Sequence, residues 1–219
     1  MGQKETQGTV LCAESFVYFS AQRTVPVFLD KIRLLDIMTN LKAVRGGEGG
    51  MVGAKTLQMG FSQDGYIIDQ DCFFEYVYRT IPTNLNGCGW IAAYNLRKYL
   101  GHDVTYDEVR RELDDMHFLK MPGPTLMCVM RKYLRRYVPH CRETVGREAA
   151  MAAALGSQAG IFRYRELLGD EPHFVSYVRQ ADGTFRFFNM ADDFEDSVLT
   201  MEQFIQEHCA PGTVIALTV

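Results

Sequence analysis

The chain predicts an α+β fold, because helical patterns dominate its first two thirds and strand patterns dominate its last third. A doubly wound α/β sheet would instead alternate strands and helices along the whole chain. With 219 residues, 47% of them hydrophobic, the chain can bury one good core but is short for two. We therefore expect an N-terminal extension over residues 1–70 and one domain over residues 71–219, in which a helical part packs on an antiparallel β-sheet.

Each predicted helix combines apolar residues three and four apart with residues that begin or end helices. This spacing predicts a first helix over residues 24–44, and the five glycines within 46–53 predict a loop after it. The next helix begins at Cys88 and is terminated by Gly101. Further helices are predicted at 105–113 after a capping box, at 124–137 after a proline, at 147–156 in an alanine-rich run, and from Thr200 with Gln203 as its cap.

The last third of the chain is rich in the β-branched and aromatic residues that favour strands. Strands are predicted at Ile161–Tyr164, His173–Arg179, Thr184–Asn189 and Gly212–Val219. The pair Asp182-Gly183 predicts a tight hairpin turn between the second and the third of these strands. The sequence therefore predicts an antiparallel sheet.

The charge balance argues against a polyanionic partner. The formal net charge is -4 and the pI is about 5.7, whereas nucleic-acid binders usually carry a basic patch. The basic residues between Arg131 and Arg136 are interleaved with apolar ones, as on the solvent-facing side of an amphipathic helix. We therefore expect no nucleic-acid partner.

Neither the first residues nor any apolar run indicates export or membrane insertion. Residues 1–10 lack the basic start and apolar middle of a secretory signal, and no apolar run reaches the roughly 18–20 residues of a membrane helix. The six cysteines show no CxxC pair and no zinc-finger spacing, so we expect reduced thiols and neither a metal nor another cofactor. These observations predict a soluble, cytoplasmic protein.

Cys88 is the cysteine whose neighbours indicate chemistry. A thiol attacks as the thiolate, which the positive end of a helix dipole stabilises, and Cys88 lies in the first turn of its predicted helix. Gly87 and Gly89 flank it, and their missing side chains would let a substrate backbone approach the sulfur closely. The other five cysteines fit the pattern of small buried apolar residues. We therefore predict Cys88 as a nucleophile.

His173 is the predicted base, because it opens a strand directly after Pro172, at the rim of the sheet where a side chain can face a cleft. The other histidines follow helix ends or lie in linkers. The turn at 182–183 returns the chain to the same end of the ribbon and brings Asn189 beside His173. The amide oxygen of Asn189 would then fix the tautomer and the orientation of the imidazole. Together with Cys88, these residues form a predicted catalytic triad.

An acyl transfer also requires hydrogen-bond donors for the developing oxyanion. The backbone N–H of Cys88 is one natural donor, and a side-chain amide just upstream would be the second. We predict Asn84 for this second role and assign Asn86 to the turn before the helix.

Three stretches of the chain resemble the bacterial peptidases that remove double-glycine leader peptides, a branch of the papain-like cysteine peptidases. They are NGCGWIAAYNLRKYLG around the predicted nucleophile, PHFVSYVRQADGTFRFFN around the predicted base, and MEQFIQEHCAPGTVIALTV at the C-terminus. The resemblance spans residues 71–219 and keeps the family's order of Cys, His and Asx. It implies a papain-like fold, a thiolate–imidazolium pair at Cys88 and His173, an acyl-enzyme route, a peptide or protein substrate, and a bacterial source.

The chain departs from that family at two positions. The family usually carries glutamine six residues before the nucleophile, where this chain has Pro82, which has no side-chain donor. The family's orienting residue is usually aspartate, so Asp192 is the alternative to Asn189. The first expectation is a cysteine peptidase that hydrolyses a peptide or isopeptide bond. An acyltransferase or transglutaminase-like enzyme would use the same thiol, and a catalytically inactive chain would serve as a binding module.

Overall fold

A computed structural model of the chain describes residues 57–118, 122–167, 172–190, 197–212 and 214–219. All of them belong to a unit that runs from Gly50 to Val219. The predicted helix at 24–44, the glycine-rich loop after it and the alternative orienting residue Asp192 lie outside the described residues. None of the helices within the described ranges has both the length and the apolar surface that crossing a membrane requires.

The described helices follow the sequence signals closely. They are α1 (Thr83–Asn86), α2 (Cys88–Tyr99), α3 (Tyr106–Met116), α4 (Met127–Tyr137), α5 (Arg147–Leu155) and α6 (Met201–Glu207), with a 3₁₀ helix at Gln70–Phe73. Capping boxes at Thr105 and Thr200 begin α3 and α6, as predicted. Gly101, with a φ of +77°, follows α2 in the left-handed conformation that glycine tolerates. Helix α4 begins later than Pro124, because Leu126 is its N-cap.

The strands form one large sheet and one small ribbon. The strands are β1 (Val77–Tyr78), β2 (Ile81–Pro82), β3 (Arg142–Val145), β4 (Ala159–Arg165), β5 (Pro172–Arg179), β6 (Phe185–Phe188), β7 (Ser197–Leu199) and β8 (Ile215–Thr218). The six-stranded sheet has the order β3-β8-β4-β5-β6-β7 with antiparallel pairs throughout, and β1 pairs with β2. The sequence predicts β4, β5, β6 and β8, whereas the other strands are too short or too polar to show alternation. The α+β class is confirmed.

Helices cover both faces of the large sheet. Because side chains alternate along a strand, Phe174 and Val175 of β5 enter different cores. Phe174 belongs to the same core as Trp90 and Ile91 of α2, whereas Val175 belongs to the core that contains Phe204 of α6. Helix α2 thus lies against β4 and β5, which confirms the expected packing of a helical part on the sheet.

The packed domain begins earlier than the predicted boundary after residue 70. The side chain of Asn95 in α2 accepts a hydrogen bond from the N–H of Ile67 at 2.9 Å and donates one to the carbonyl oxygen of Ile67 at 2.8 Å. The ring of Phe61 packs edge-on against Phe73, with 5.4 Å between ring centroids. Residues 57–70 therefore belong to the domain and not to an extension, because their apolar and main-chain polar groups find partners within it.

A surface ion pair also ties this segment to the sheet. Arg186 of β6 donates to the carboxylate of Asp64 at 2.5 and 3.0 Å, and this hydrogen bonding lowers the pKa of Asp64 from 3.8 to about 2. Since the folded pKa lies below the unfolded one, the pair stabilises the fold above about pH 4 and loses its effect as the pH falls towards 2.

We expect Arg186→Gln to return the pKa of Asp64 towards its ordinary value, because the amide side chain carries no positive charge. A carboxyl NMR titration measures the change. Arg111→Gln is the control, since Arg111 pairs with Asp107 instead. An Asp64 pKa that stays low without the Arg186 guanidinium would contradict this account.

The basic residues of the predicted amphipathic helix lie on α4. Lys132, Arg135 and Arg136 are exposed, whereas Tyr133 and Leu134 between them are fully buried. The charges therefore form the solvent-facing side of a helix whose other side enters the core, as predicted.

Candidate active site

Cys88 is the first residue of α2, where the sequence predicts it. Its side chain is 5% exposed. The helix has 12 residues, so the thiol lies at the positive end of a helix dipole of several turns. The basic side chains Arg97 and Lys98 lie in the last turn, at the negative end. This placement suits a thiol that must carry negative charge.

Packing accounts for the two glycines beside Cys88. A Cβ atom at Gly87 would lie 2.3 Å from Cγ2 and 2.6 Å from the carbonyl oxygen of Thr83. A Cβ atom at Gly89 would lie 2.2 Å from Oγ1 and 2.4 Å from Cβ of Thr125. All four distances are far inside van der Waals contact. The close approach of α1 and of the segment before α4 therefore accounts for these glycines, and access of a substrate to the sulfur stays a prediction.

His173 lies near the start of β5 and is paired across the sheet with Tyr164 of β4. Its Nε2 is 2.7 Å from the main-chain carbonyl oxygen of Asn189. A carbonyl oxygen can only accept, so Nε2 carries the hydrogen and Nδ1 is the basic nitrogen of the neutral ring. Nδ1 lies 3.7 Å from Oε1 of Glu166. A carboxylate at this distance stabilises the positive charge of a ring that takes up a second proton.

Asn189 contacts His173 with its main chain and not with the side-chain oxygen that the sequence predicts. It follows the end of β6 and has a φ of +65°, a left-handed conformation that asparagine tolerates better than most residues. Its carbonyl meets the imidazole, whereas its side chain meets Gln70. Oδ1 of Asn189 accepts from the N–H of Gln70 at 2.9 Å, and Nδ2 donates to Oε1 of Gln70 at 3.2 Å. The two predicted residues are therefore adjacent, but the orienting contact differs in kind.

Gln70 joins these residues to α1, the short helix before the nucleophile. Its Nε2 donates to the carbonyl oxygen of Asn84 in α1 at 2.9 Å. Asn84 lies four residues before Cys88. The structure thereby places three of the predicted site residues, His173, Asn189 and Asn84, in one continuous chain of hydrogen bonds.

The two asparagines of α1 have different surroundings. Nδ2 of Asn86 donates to the carbonyl oxygens of Tyr78 at 2.8 Å and Gly123 at 3.1 Å. Asn86 is the last residue of α1 and not part of a turn, so its side chain joins the end of this helix to β1 and to the segment before α4. The Oδ1 atoms of Asn84 and Asn86 are both buried and, among the described residues, have no hydrogen-bond partner. An amide oxygen accepts hydrogen bonds and cannot donate to an oxyanion, so the oxyanion role of Asn84 requires its Nδ2 and stays a prediction. Pro82 lies in β2 and supplies no side-chain donor.

Cys88 and the ring of His173 contact different hydrophobic cores. Phe174 shares a core with Cys88, whereas the ring of His173 packs edge-on against Tyr164, with 5.8 Å between centroids. Tyr164 belongs to the core of α5 and α6. The described polar contacts of the imidazole go to Asn189 and Glu166. Direct pairing of the thiol with the imidazole therefore stays a prediction.

Gln70 and Glu166 are the members of this cluster that sequence reasoning misses. Gln70 lies one residue before the stretch covered by the family resemblance, and it contacts Asn189 across 119 positions of the chain. Glu166 follows β4 and pairs with Cys209 through a single bridge. No local pattern marks either residue, because a contact of this kind depends on how distant segments pack.

Comparison with protein-family models, with curated proteins and with solved structures found no match to this chain. Within the described ranges, no three His, Cys, Asp or Glu side chains are grouped so that they could hold a metal ion. The groups described near the start of α2 and the end of β6 are a thiol, an imidazole, side-chain amides and a carboxylate. These are the groups of nucleophilic and acid–base chemistry.

Proposed function

We propose that this chain is a cysteine peptidase with a papain-like fold, which hydrolyses a peptide or isopeptide bond with Cys88 as nucleophile and His173 as base. One observation carries the proposal. Hydrogen bonds run from the ring of His173 through Asn189 and Gln70 to Asn84, four residues before Cys88. A cysteine that only fills a core would require no such polar chain next to its helix.

In the proposed reaction, Nδ1 of His173 takes the thiol proton while Sγ of Cys88 attacks the carbonyl carbon of the scissile bond. The N–H of Cys88 and the amide of Asn84 donate to the oxyanion. The C–N bond breaks as the imidazolium gives its proton to the leaving amine, which leaves a thioester. Water then attacks the thioester with Nδ1 as base, and the acid and the thiol are released.

Asn189 and Glu166 act on the imidazole in this scheme. The carbonyl oxygen of Asn189 holds the hydrogen on Nε2, so Nδ1 remains the nitrogen that exchanges protons. Glu166 stabilises the imidazolium formed in each half of the reaction. No cofactor is required by these steps.

A non-catalytic binding module is the second candidate, and one observation favours it. Both ring nitrogens of His173 lie near acceptors of the protein itself, the carbonyl of Asn189 and the carboxylate of Glu166. A ring held in this way also serves to join β5 and β6. An acyltransferase would share the thioester step and differ only in its acceptor.

Alkylation of individual cysteines tests the proposal. Burial raises the pKa of the Cys72 thiol to about 12 and that of Cys141 to about 11, so both should react slowly at neutral pH. We expect Cys88 to react with iodoacetamide at about pH 6.5 at least about tenfold faster than Cys72, because only the thiolate attacks. Peptide mass mapping measures each rate, and His173→Ala should lower the rate at Cys88.

His102→Ala is the matched control, since His102 lies after the end of α2 and packs against Tyr137. It should leave the rate at Cys88 unchanged. A rate at Cys88 that His173→Ala leaves unchanged would favour the binding module. If Cys88 reacts fast, incubation with peptides and an added amine distinguishes transfer from hydrolysis.

A further inference from the structure

We propose that Gln70 is a positioning residue that holds the helix with the nucleophile and the strand with the base at a fixed spacing. The inference rests on the proposed function and gives Gln70 no contact with substrate. Gln70 lies in the 3₁₀ helix Gln70–Phe73, which is separate from α2 and from β5. This 3₁₀ helix is therefore a third element, and Gln70 links it to the segment before α2 and to the end of β6.

Gln70 contacts both halves of the site at once. Its main-chain N–H and its Oε1 form a pair of hydrogen bonds with the side chain of Asn189, at 2.9 and 3.2 Å. Its Nε2 donates to the carbonyl oxygen of Asn84 at 2.9 Å. A planar amide offers an acceptor at one end and donors at the other, so a single side chain can join two partners that a carboxylate could not both satisfy.

The segment around Gln70 is itself well held. Oδ1 of Asp69 accepts from the N–H of Asp71 at 2.8 Å and caps the 3₁₀ helix. Phe73 is fully buried, and its ring packs edge-on against Trp90 of α2 with 5.7 Å between centroids. The position of Gln70 is thus tied to the helix of the nucleophile by apolar packing as well as by its hydrogen bond to Asn84.

Loss of this link should loosen the site without removing a reacting group. Catalytic groups must be held to within about 0.5 Å of their productive geometry. If the end of β6 shifts, the carbonyl of Asn189 and the imidazole that it holds shift with it. The imidazolium then stabilises the thiolate less well, and a smaller fraction of Cys88 is reactive near neutral pH.

The rate of Cys88 alkylation by iodoacetamide, measured against pH, tests this inference. Alkylation forms no oxyanion, so its rate reports on the thiol and the imidazole and not on oxyanion donors. We expect Gln70→Ala to lower the rate at about pH 6.5 by about tenfold, as loss of one or two net hydrogen bonds would. The pH at which the alkylation rate of Cys88 begins to rise should be higher in this variant than in the wild type.

Asn189→Gly provides a second variant that removes the same link from its other side. Glycine accepts the φ of +65° and keeps the carbonyl that meets His173, but it removes the amide that meets Gln70. We expect a loss similar to that of Gln70→Ala, and a loss in the double variant smaller than the sum of the two, because both changes break the bond between the two side chains. The main-chain N–H of residue 70 still reaches Asn189 in Gln70→Ala, so a small further loss is expected. Additive losses in the double variant would overturn the inference.

Variants at Gln58 and at Gln70 complete the test. Gln58→Ala removes an exposed glutamine from the same segment and should leave the pH profile unchanged. Gln70→Glu keeps an acceptor for Asn189 but places a carboxylate oxygen against the carbonyl oxygen of Asn84, so its rate should fall at least as far as that of Gln70→Ala. A pH profile of Gln70→Ala that matches that of Gln58→Ala would also overturn the role of Gln70.

The ring-nitrogen NMR resonances of His173 distinguish failure of this inference from failure of the proposed function. We expect Gln70→Ala to shift these resonances, although the described contacts of Gln70 are with Asn189 and Asn84. A shift in Gln70→Ala together with a slow Cys88 in the wild type would overturn the peptidase and keep the positional link. Unchanged resonances beside a fast wild-type Cys88 would overturn the role of Gln70 alone, and unchanged resonances with a slow thiol would overturn both.

Discussion

Trp90→Ala is expected to lower the free energy of unfolding by about 3–5 kcal/mol, the range for removal of a large buried aromatic side chain. Trp90 lies two residues after Cys88 and has no exposed surface. Its ring packs against Phe73 and Tyr106, with centroid distances of 5.7 and 6.5 Å. Loss of the indole leaves a cavity between α2, the 3₁₀ helix and α3, which these rigid rings cannot fill. Urea denaturation followed by circular dichroism measures the effect.

Two further variants separate loss of the buried ring from loss of the indole N–H and from the effect of removing any aromatic side chain. Nε1 of Trp90 is buried and, in the part of the chain that the structure describes, lacks a hydrogen-bond partner. Trp90→Phe removes this unsatisfied donor and keeps most of the ring, so we expect a loss below about 1.5 kcal/mol. Phe118 is 97% exposed. We expect Phe118→Ala to change the free energy of unfolding by no more than about 0.5 kcal/mol. Equal losses in Trp90→Ala and Phe118→Ala would contradict the packing.

Gly89→Ala is expected to lower the free energy of unfolding by about 1–3 kcal/mol and to slow the alkylation of Cys88. Helix propensity alone predicts the opposite sign, since alanine in a helix interior is favoured over glycine by about 1 kcal/mol. Steric overlap outweighs helix propensity here, because the new Cβ atom would lie 2.2 Å from Oγ1 of Thr125 and 2.4 Å from its Cβ. Relief of that overlap requires a shift of the first turn of α2, which carries the thiol.

Gly156→Ala is the matched control, because the nearest atoms to its Cβ would lie at ordinary contact distances of 3.6 and 3.8 Å. We expect its stability to stay within about 0.5 kcal/mol of the wild type. Thr125→Gly removes the side chain that obstructs Gly89→Ala, but it also removes the hydrogen bond to Tyr78 at 2.8 Å. Gly89→Ala should therefore lower the free energy of unfolding far less in the Thr125→Gly variant than in the wild type. A stability gain from Gly89→Ala alone would contradict the described contact.

The elements that carry the candidate site were accessible to sequence reasoning because their signals are local. Thr105 caps α3 within one turn, and Gly101 terminates α2. The alternation in β5 is short-range as well. In contrast, β3 and β7 lie at the two edges of the sheet. Edge strands have one pairing partner and more exposed side chains, so they need not show a strong apolar pattern.

The domain boundary shows the limit of a pattern-based assignment. Residues 57–70 carry no strong periodicity, yet Ile67 is fully buried and forms two hydrogen bonds with Asn95. Their membership in the domain depends on partners supplied by α2. A short irregular segment becomes part of a fold when its main-chain groups are satisfied by distant side chains.

By itself the sequence determined the α+β class, the start of a helix at Cys88 and the strand that carries His173, because caps and alternation act over a few residues. Only the tertiary structure decided that Asn189 meets the imidazole through its carbonyl and that Gln70 joins Asn189 to Asn84. These contacts depend on a left-handed φ at one residue and on hydrogen bonds across 119 positions. Such contacts are set by the packing of the whole domain, which neighbouring residues in the sequence do not encode.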